Sequence, residues 1–175
     1  MTTTLHISLA GLADIPALVK LVNTAYRGEE SRQGWASEAH LLTGNARTDE
    51  AALAEQFHTP GAVILKGTNA AGELIACVYL EKQASKLYLG MLSVLPGLQG
   101  GGIGKQLLAA ATTYAHQHGC TSVIMTVISA RDTLIDWYER HGYTRNGQTE
   151  PFPTDNRYGV PTQPLEFVVL EKKLM

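Results

Sequence analysis

The sequence predicts a mixed α/β (α+β) fold, in which a central and mostly antiparallel sheet is flanked by helices. Three strand-like segments lie between residues 62 and 95 and are joined by short connections, a pattern typical of an antiparallel meander. Residues 86–128 then read as strand, glycine-rich turn, helix and strand, which predicts a right-handed crossover between two parallel strands. Apolar residues at helical spacing near the N-terminus add a helix ahead of the meander.

The N-terminal third of the chain is predicted to contain one short strand and three helices. The alternating segment 5–9 predicts the strand. The first helix is expected to have Asp14 as its N-cap and to end at Gly28. Residues 29–36 read as a loop, after which Ser37 is expected to cap a helix through Leu42 and Thr48 another through Phe57.

The central and C-terminal elements follow from apolar runs and from glycine and proline signals. Strands are predicted at 62–66, 74–80, 86–95, 122–128 and 165–170. One helix is predicted to open at Lys105 after the glycine cluster and to stop at Gly119, and another is predicted over 132–139. Four prolines in residues 151–164 exclude a regular helix or central strand there, and the strand at 165–170 is expected to complete the sheet.

Composition predicts one domain over residues 1–175, since 45% of the residues are apolar and suffice for a sizeable core. The net charge of −2 has no clustered basic face, so no nucleic-acid partner is expected. Cys77 and Cys120 lie in apolar strands and are expected to be small buried side chains. The six scattered histidines predict no metal site. Without a leader or a run of 18 apolar residues, a cytoplasmic, soluble protein is expected, with no membrane association.

The glycine cluster at residues 100–104 is the most informative stretch of the chain. Four glycines within five residues, followed at once by a helix, allow a ligand to approach the backbone closely. The amide groups and the positive dipole end of a helix N-terminus favour an anion, above all a phosphate. A P-loop is excluded because Gln99 stands where its first glycine should be, and the dinucleotide fingerprint G-x-G-x-x-G fails at every register. The remaining pattern is Q-x-x-G-x-G, formed by Gln99, Gly102 and Gly104.

This pattern, between a strand and a helix, resembles the pyrophosphate-binding signature of the GNAT superfamily of acyl-CoA-dependent N-acetyltransferases. A second string, Trp-Tyr-Glu-Arg-His-Gly-Tyr at residues 137–143, is similar to another motif of that family and follows about forty residues later. The resemblance implies the GNAT fold, whose sheet is splayed between its fourth and fifth strands. It also implies an acetyltransferase that uses acetyl-CoA (coenzyme A) as cosubstrate and no metal.

The resemblance assigns roles to residues that match the family's motifs. Tyr138 corresponds to a tyrosine that protonates the departing coenzyme A sulfur, and a packing role beside Trp137 is the alternative reading. Many members carry Asn where this chain has Arg131, which is expected either to contact the coenzyme or to begin the helix. Amides of the turn would hold the pyrophosphate, the strand before it would hold the pantetheine arm, and a main-chain N–H near Leu92 would hold the oxyanion. The expected cofactor-binding residues are Leu92, Ser93, Val94, Gln99, Gly100, Gly101, Gly102, Ile103, Gly104, Lys105 and Arg131.

The acceptor side rests on the family, in which the region after the first helix commonly forms a wall of the acceptor site. Glu29 and Glu38 are candidate general bases, although Glu30 and water are alternatives. The expected substrate-binding residues are Tyr26, Glu30, Arg32, Trp35 and Arg157, with Asp155 and Tyr158 of second rank. The predicted function is transfer of an acetyl group to a primary amine of a small molecule by direct attack.

Two other readings stay open at this stage. One is a non-catalytic acyl-CoA-binding or sensory module, and the other is an acetyltransferase that acts on a protein amine. Dimerisation is common in the family, so a homodimer is an expectation that the resemblance alone supports.

Overall fold

The computed structural model describes residues 4–26, 41, 47–98, 101–153 and 161–174, and all structural statements below refer to these residues. The helices are α1 (Ile15–Tyr26), α2 (Glu50–His58), α3 (Ile103–Gln117) and α4 (Asp132–Arg140), with a short 3-10 turn at Leu12–Asp14 before α1. The strands are β1 (His6–Leu9), β2 (Ala62–Thr68), β3 (Leu74–Gln83), β4 (Lys86–Val94), β5 (Ser122–Ile128), β6 (Thr144–Pro151) and β7 (Glu166–Lys173).

The strands form a single sheet in the order β1-β2-β3-β4-β5-β7-β6. All neighbours are antiparallel except β4 and β5, which are parallel. The β4–β5 pairing extends only from Lys86 opposite Ser122 to Tyr88 opposite Ile124, although both strands continue beyond it. The two strands therefore diverge at their C-terminal halves, and this confirms the predicted mixed fold with a splayed sheet.

Helices cover both faces of the sheet, which explains why the central strands read as nearly continuous apolar runs. On β3, Val78 and Leu80 pack in the core beneath α3 and α4, whereas Cys77 and Tyr79 pack beneath α1 and α2. This alternation follows from the two-residue period of a strand. Cys77 and Cys120 are buried free thiols, as predicted.

Two predicted helix caps are wrong. The Asp14 carboxylate accepts a hydrogen bond from the Gly11 N–H in the 3-10 turn before α1, so it does not cap the α-helix itself. Helix α2 is capped by Asp49, whose carboxylate accepts from the Ala52 N–H at 2.8 Å, and not by Thr48, which is buried. Thr and Asp are both good N-cap residues, so the sequence alone does not decide between the adjacent Thr48 and Asp49. The backbone geometry at the start of α2 makes Asp49 the cap.

The structure contains one strand, β6, that the sequence did not predict. Residues of β6 are all exposed and have no apolar alternation, so the pattern that predicts strands is absent from them. They form a strand because they pair with β7, from Thr144 opposite Glu171 to Pro151 opposite Glu166. Consequently β7 is an inner strand and β6 forms the edge, where its proline is tolerated. The predicted helix end at Gly28 and the predicted helix from Ser37 lie outside the described residues.

Candidate functional site

A cleft of about 320 Å³ opens where β4 and β5 diverge. The Tyr88 and Thr126 hydroxyl oxygens face each other 3.5 Å apart at the point of divergence. Beyond this point β4 and β5 are no longer hydrogen-bonded to each other. The main-chain N–H and C=O groups along their facing edges are therefore directed into the opening. The cleft is lined by Tyr26, Arg47, Tyr88, Leu89, Gly90, Met91, Leu92, Met125, Thr126, Val127, Ile128, Arg131, Leu134, Tyr138, Glu150 and Phe167.

A β-bulge in β4 shapes one wall of this cleft. Tyr79 lies opposite Gly90 and Cys77 opposite Ser93, so two residues of β4, Met91 and Leu92, stand opposite one residue of β3. Met91 has φ = +56°, a left-handed conformation that costs a non-glycine residue about 1–2 kcal/mol. The surrounding contacts therefore maintain a backbone geometry that this sequence does not favour locally.

The alternation of β4 identifies the main-chain groups that face the cleft. The Leu95 N–H donates to the Ile75 carbonyl on β3 at 3.0 Å, so Leu95 and Ser93 direct their amides towards β3. Leu92 alternates with them and directs its amide towards the opening, which it lines. Consistent with this, the Leu92 carbonyl accepts a hydrogen bond from the Tyr26 hydroxyl, which lines the cleft. The structure thus brings the expected pantetheine-binding strand to the cleft.

The glycine turn ends at Gly102, which is the N-cap of α3 and has φ = +80°. The Gln106 N–H donates to the Gly102 carbonyl, so the regular helical hydrogen bonds begin there. The amides of Ile103, Gly104 and Lys105 precede that bond, and a helix start provides no intrahelical acceptor for such groups. Their position at the positive end of a 15-residue helix suits a phosphate. Gln99 and Gly100 lie outside the described residues.

Tyr138 lies on α4, is 5% exposed and lines the cleft opposite β4. Its ring contacts Trp137 and Tyr143 in edge-to-face geometry, with centroid distances of 5.1 and 5.8 Å. Burial raises the pKa of Tyr138 well above its usual value, the neighbouring Tyr26 raises it further and the Arg131 guanidinium lowers it. Tyr138 is therefore a protonated phenol at neutral pH, and this is the form that can donate a proton.

Arg131 has one of the two roles that the sequence left open, because it begins helix α4. It is the N-cap residue of α4, and its carbonyl accepts from the Ile135 N–H at 3.0 Å, so it begins the helix. It is also 7% exposed and lines the cleft, where its charge acts on Tyr138. Contact between Arg131 and the coenzyme stays a prediction.

The lining of the cleft also includes residues that were not among the predicted site residues. Arg47 lies over the Tyr26 ring, 5.4 Å from its centroid, and Glu150 and Phe167 reach the cleft from β6 and β7. Glu150 was missed because nothing in the exposed β6 segment signalled a strand. Tyr26 is 8% exposed and its hydroxyl binds the main chain, so its direct contact with a substrate stays a prediction.

Several predicted site residues lie outside the described residues: Glu29, Glu30, Arg32, Trp35, Glu38, Asp155, Arg157 and Tyr158. Among the described residues, no group of three or more His, Cys, Asp or Glu side chains could hold a metal ion. The described helices are all too short or too polar to cross a membrane.

Solved structures of known acetyltransferases have the same fold. The ribosomal-protein-S18-alanine N-acetyltransferase of Escherichia coli is 15% identical with a TM-score of 0.72, over 97% of this chain and 94% of that one. The ribosomal-protein-alanine N-acetyltransferase of Brucella melitensis is 18% identical with a TM-score of 0.71, over 97% and 99%. A GNAT superfamily phosphinothricin acetyltransferase of Sinorhizobium meliloti, solved in complex with acetyl-CoA, is 18% identical with a TM-score of 0.70, over 99% and 89%.

A match to a family profile assigns this sequence to a family. The profile of the acetyltransferase (GNAT) family matches residues 21–143, a range that includes the glycine turn, the splayed strands and the Tyr138 helix. This match confirms the resemblance found in the two motifs. The chain belongs to the acetyltransferase (GNAT) family.

Proposed function

We propose that this protein is an acetyl-CoA-dependent N-acetyltransferase that transfers an acetyl group to the primary amine of a small molecule. The observation that carries the proposal is the cleft itself, whose two walls present the β4 main chain at Leu92 and the buried Tyr138 side chain. Acyl transfer requires a donor for the oxyanion and an acid for the leaving group, and this arrangement supplies both kinds of group.

The donor half of the site fits acetyl-CoA. The start of α3 would bind the pyrophosphate through the amides of Gly101 to Lys105, together with the adjoining Gln99 and Gly100. Leu92 directs its main-chain groups towards the opening and could pair with an amide of the pantetheine arm as a strand would. Acetyl-CoA is also the ligand named for the Sinorhizobium meliloti structure with this fold.

The reaction we propose is direct attack of the neutral amine on the thioester carbonyl. The Leu92 N–H would donate to the carbonyl oxygen as negative charge develops there, a type of contact worth roughly 3 kcal/mol in acyl-transfer enzymes. Tyr138 would donate its phenolic proton to the departing sulfur as the carbon–sulfur bond breaks. The nitrogen loses one proton to a base, and Tyr138 recovers a proton from solvent, so the products are the amide and the free thiol.

The acceptor side needs a base because an amine with a pKa of about 10.4 is mostly protonated at neutral pH. Glu29 and Glu38 remain candidates from the sequence, and Glu150 is a further candidate because it lines the cleft. Arg47 and Arg131 add positive charge to the same lining. A small polar amine suits a cleft of this volume and mixed charge.

The proposal is tested by incubating the protein with acetyl-CoA and a panel of small amines, and by measuring thiol release and amide product. A peptide panel with free N-termini and lysines tests the protein-amine alternative in the same assay. Turnover with small amines supports the proposal, whereas turnover with peptides alone contradicts the substrate class. Tight binding of acetyl-CoA without any turnover would favour the non-catalytic module.

A further inference from the structure

The Met91 and Leu92 carbonyl groups, which lie on either side of the Leu92 N–H and Cα, each accept a hydrogen bond from a side-chain hydroxyl. The Ser93 hydroxyl donates to the Met91 carbonyl at 3.0 Å, and the Cys77 sulfur lies 4.0 Å from the same oxygen. The Tyr26 hydroxyl donates to the Leu92 carbonyl across 66 positions of sequence. Ser93 is fully buried and Tyr26 is 8% exposed, so water does not readily replace either donor.

These two hydrogen bonds act on the Leu92 N–H in different ways. The Met91 carbonyl and the Leu92 N–H belong to one peptide group, so a donor on that carbonyl polarises the group and strengthens the N–H as a donor. The Tyr26 bond restrains the orientation of the next peptide group, because it anchors the Leu92 carbonyl to helix α1. Both bonds lie at the bulge, where the positive φ of Met91 would otherwise relax.

We propose that Tyr26 and Ser93 are positioning residues that fix and polarise the Leu92 amide as the oxyanion donor of acetyl transfer. This inference rests on the proposed function, and it gives both residues a role different from the direct ligand contact that the sequence suggested. Their hydroxyls act on the reacting carbonyl only through the β4 main chain. A preorganised donor needs such support, since it must already be in place when charge develops.

The test uses Tyr26→Phe and Ser93→Ala, each of which removes one hydroxyl and keeps most of the side-chain volume. Tyr114→Phe is the matched control, because it removes a tyrosine hydroxyl from α3, on the face of the sheet opposite α1. We expect kcat to fall about 10-fold in each of these two variants, less than the roughly 10²- to 10³-fold that loss of an oxyanion donor costs. The KM for acetyl-CoA should stay unchanged, and Tyr114→Phe should match the wild type.

A second readout does not depend on turnover. The amide proton resonance of Leu92 is followed by NMR in the free protein and on addition of acetyl-CoA. The inference predicts an upfield change in the free Ser93→Ala protein, and a smaller acetyl-CoA-induced shift in both variants than in the wild type. Thermal melting of each variant shows whether it is folded, and if one is not, the other still tests the inference.

The outcomes separate the two levels of the proposal. Wild-type kcat and an unchanged Leu92 resonance in a folded Tyr26→Phe or Ser93→Ala protein would overturn the positioning role. A raised KM for acetyl-CoA with unchanged kcat would also overturn it. If the wild type itself acetylates no amine, the proposed function fails, while the resonance of the free protein still reports whether the hydroxyls polarise the Leu92 amide.

Discussion

Replacing Tyr138 with Phe isolates the phenolic proton from the packing of the ring. The residue is 5% exposed and its ring packs edge-to-face with those of Trp137 and Tyr143, so phenylalanine keeps the ring in this packing. The free energy of unfolding should therefore change by no more than about 1 kcal/mol, the usual worth of one hydrogen bond. Loss of the general acid should lower kcat by roughly 10² to 10⁴.

The assay is thiol release under saturating acetyl-CoA and amine, together with the acetyl-CoA dissociation constant from calorimetry. The dissociation constant should be unchanged, because the hydroxyl acts on sulfur only when the bond breaks. Burial, the largest influence on this phenol, raises the pKa of Tyr138, so the donor form persists to higher pH than for a free tyrosine. The wild-type kcat should therefore show no fall attributable to Tyr138 between pH 7 and about 10. A folded Tyr138→Phe protein with wild-type kcat would remove Tyr138 from the mechanism.

Three further predictions concern the coenzyme, the acceptor and the fold. Gly102→Val should raise the acetyl-CoA dissociation constant about tenfold or more, because the strained turn no longer presents its amides. Gly72→Val is the control, since Gly72 has a similar positive φ in the β2–β3 turn. Equal binding of acetyl-CoA by both variants would contradict the phosphate site at the glycine turn. Glu150→Gln should lower kcat/KM for the amine and leave acetyl-CoA affinity unchanged, and an unaltered kcat/KM would exclude Glu150 from the acceptor site. Asp49→Ala should lower the free energy of unfolding by about 1 kcal/mol and Tm by roughly 2–4 °C. Asp49→Asn keeps a capping oxygen and should retain most of the wild-type stability. An Asp49→Ala protein as stable as the wild type would contradict the capping role of Asp49.

The parts of the fold that could be predicted are those whose signal is local. The meander and the crossover follow from apolar strands and short connections, and the segment 122–128 was predicted with the bounds of β5. The glycine turn was recognisable because its chemistry needs residues without Cβ atoms at fixed spacing. Strand β6 could not be predicted, since its strand conformation depends on pairing with β7 and not on its own polar sequence.

The parts of the site that sequence did not predict depend on long-range contacts. Met91 gives no sign of a left-handed conformation, so the bulge that directs Leu92 to the cleft is invisible in the sequence. The Tyr26 hydroxyl reaches the Leu92 carbonyl only because α1 packs across β4. Glu150 joins the cleft through the unpredicted edge strand. By contrast, Tyr138 and Arg131 follow from a contiguous motif and its flank, and both line the cleft.

We propose above that the cleft between β4 and β5 catalyses acetyl transfer from acetyl-CoA to an amine. The most direct measurement follows thiol release and product mass together, with the wild-type protein, acetyl-CoA and the panel of small amines. We expect one acetylated amine for each thiol released, at a rate that saturates in both substrates. Saturable binding of acetyl-CoA with no acetylated small molecule would contradict it.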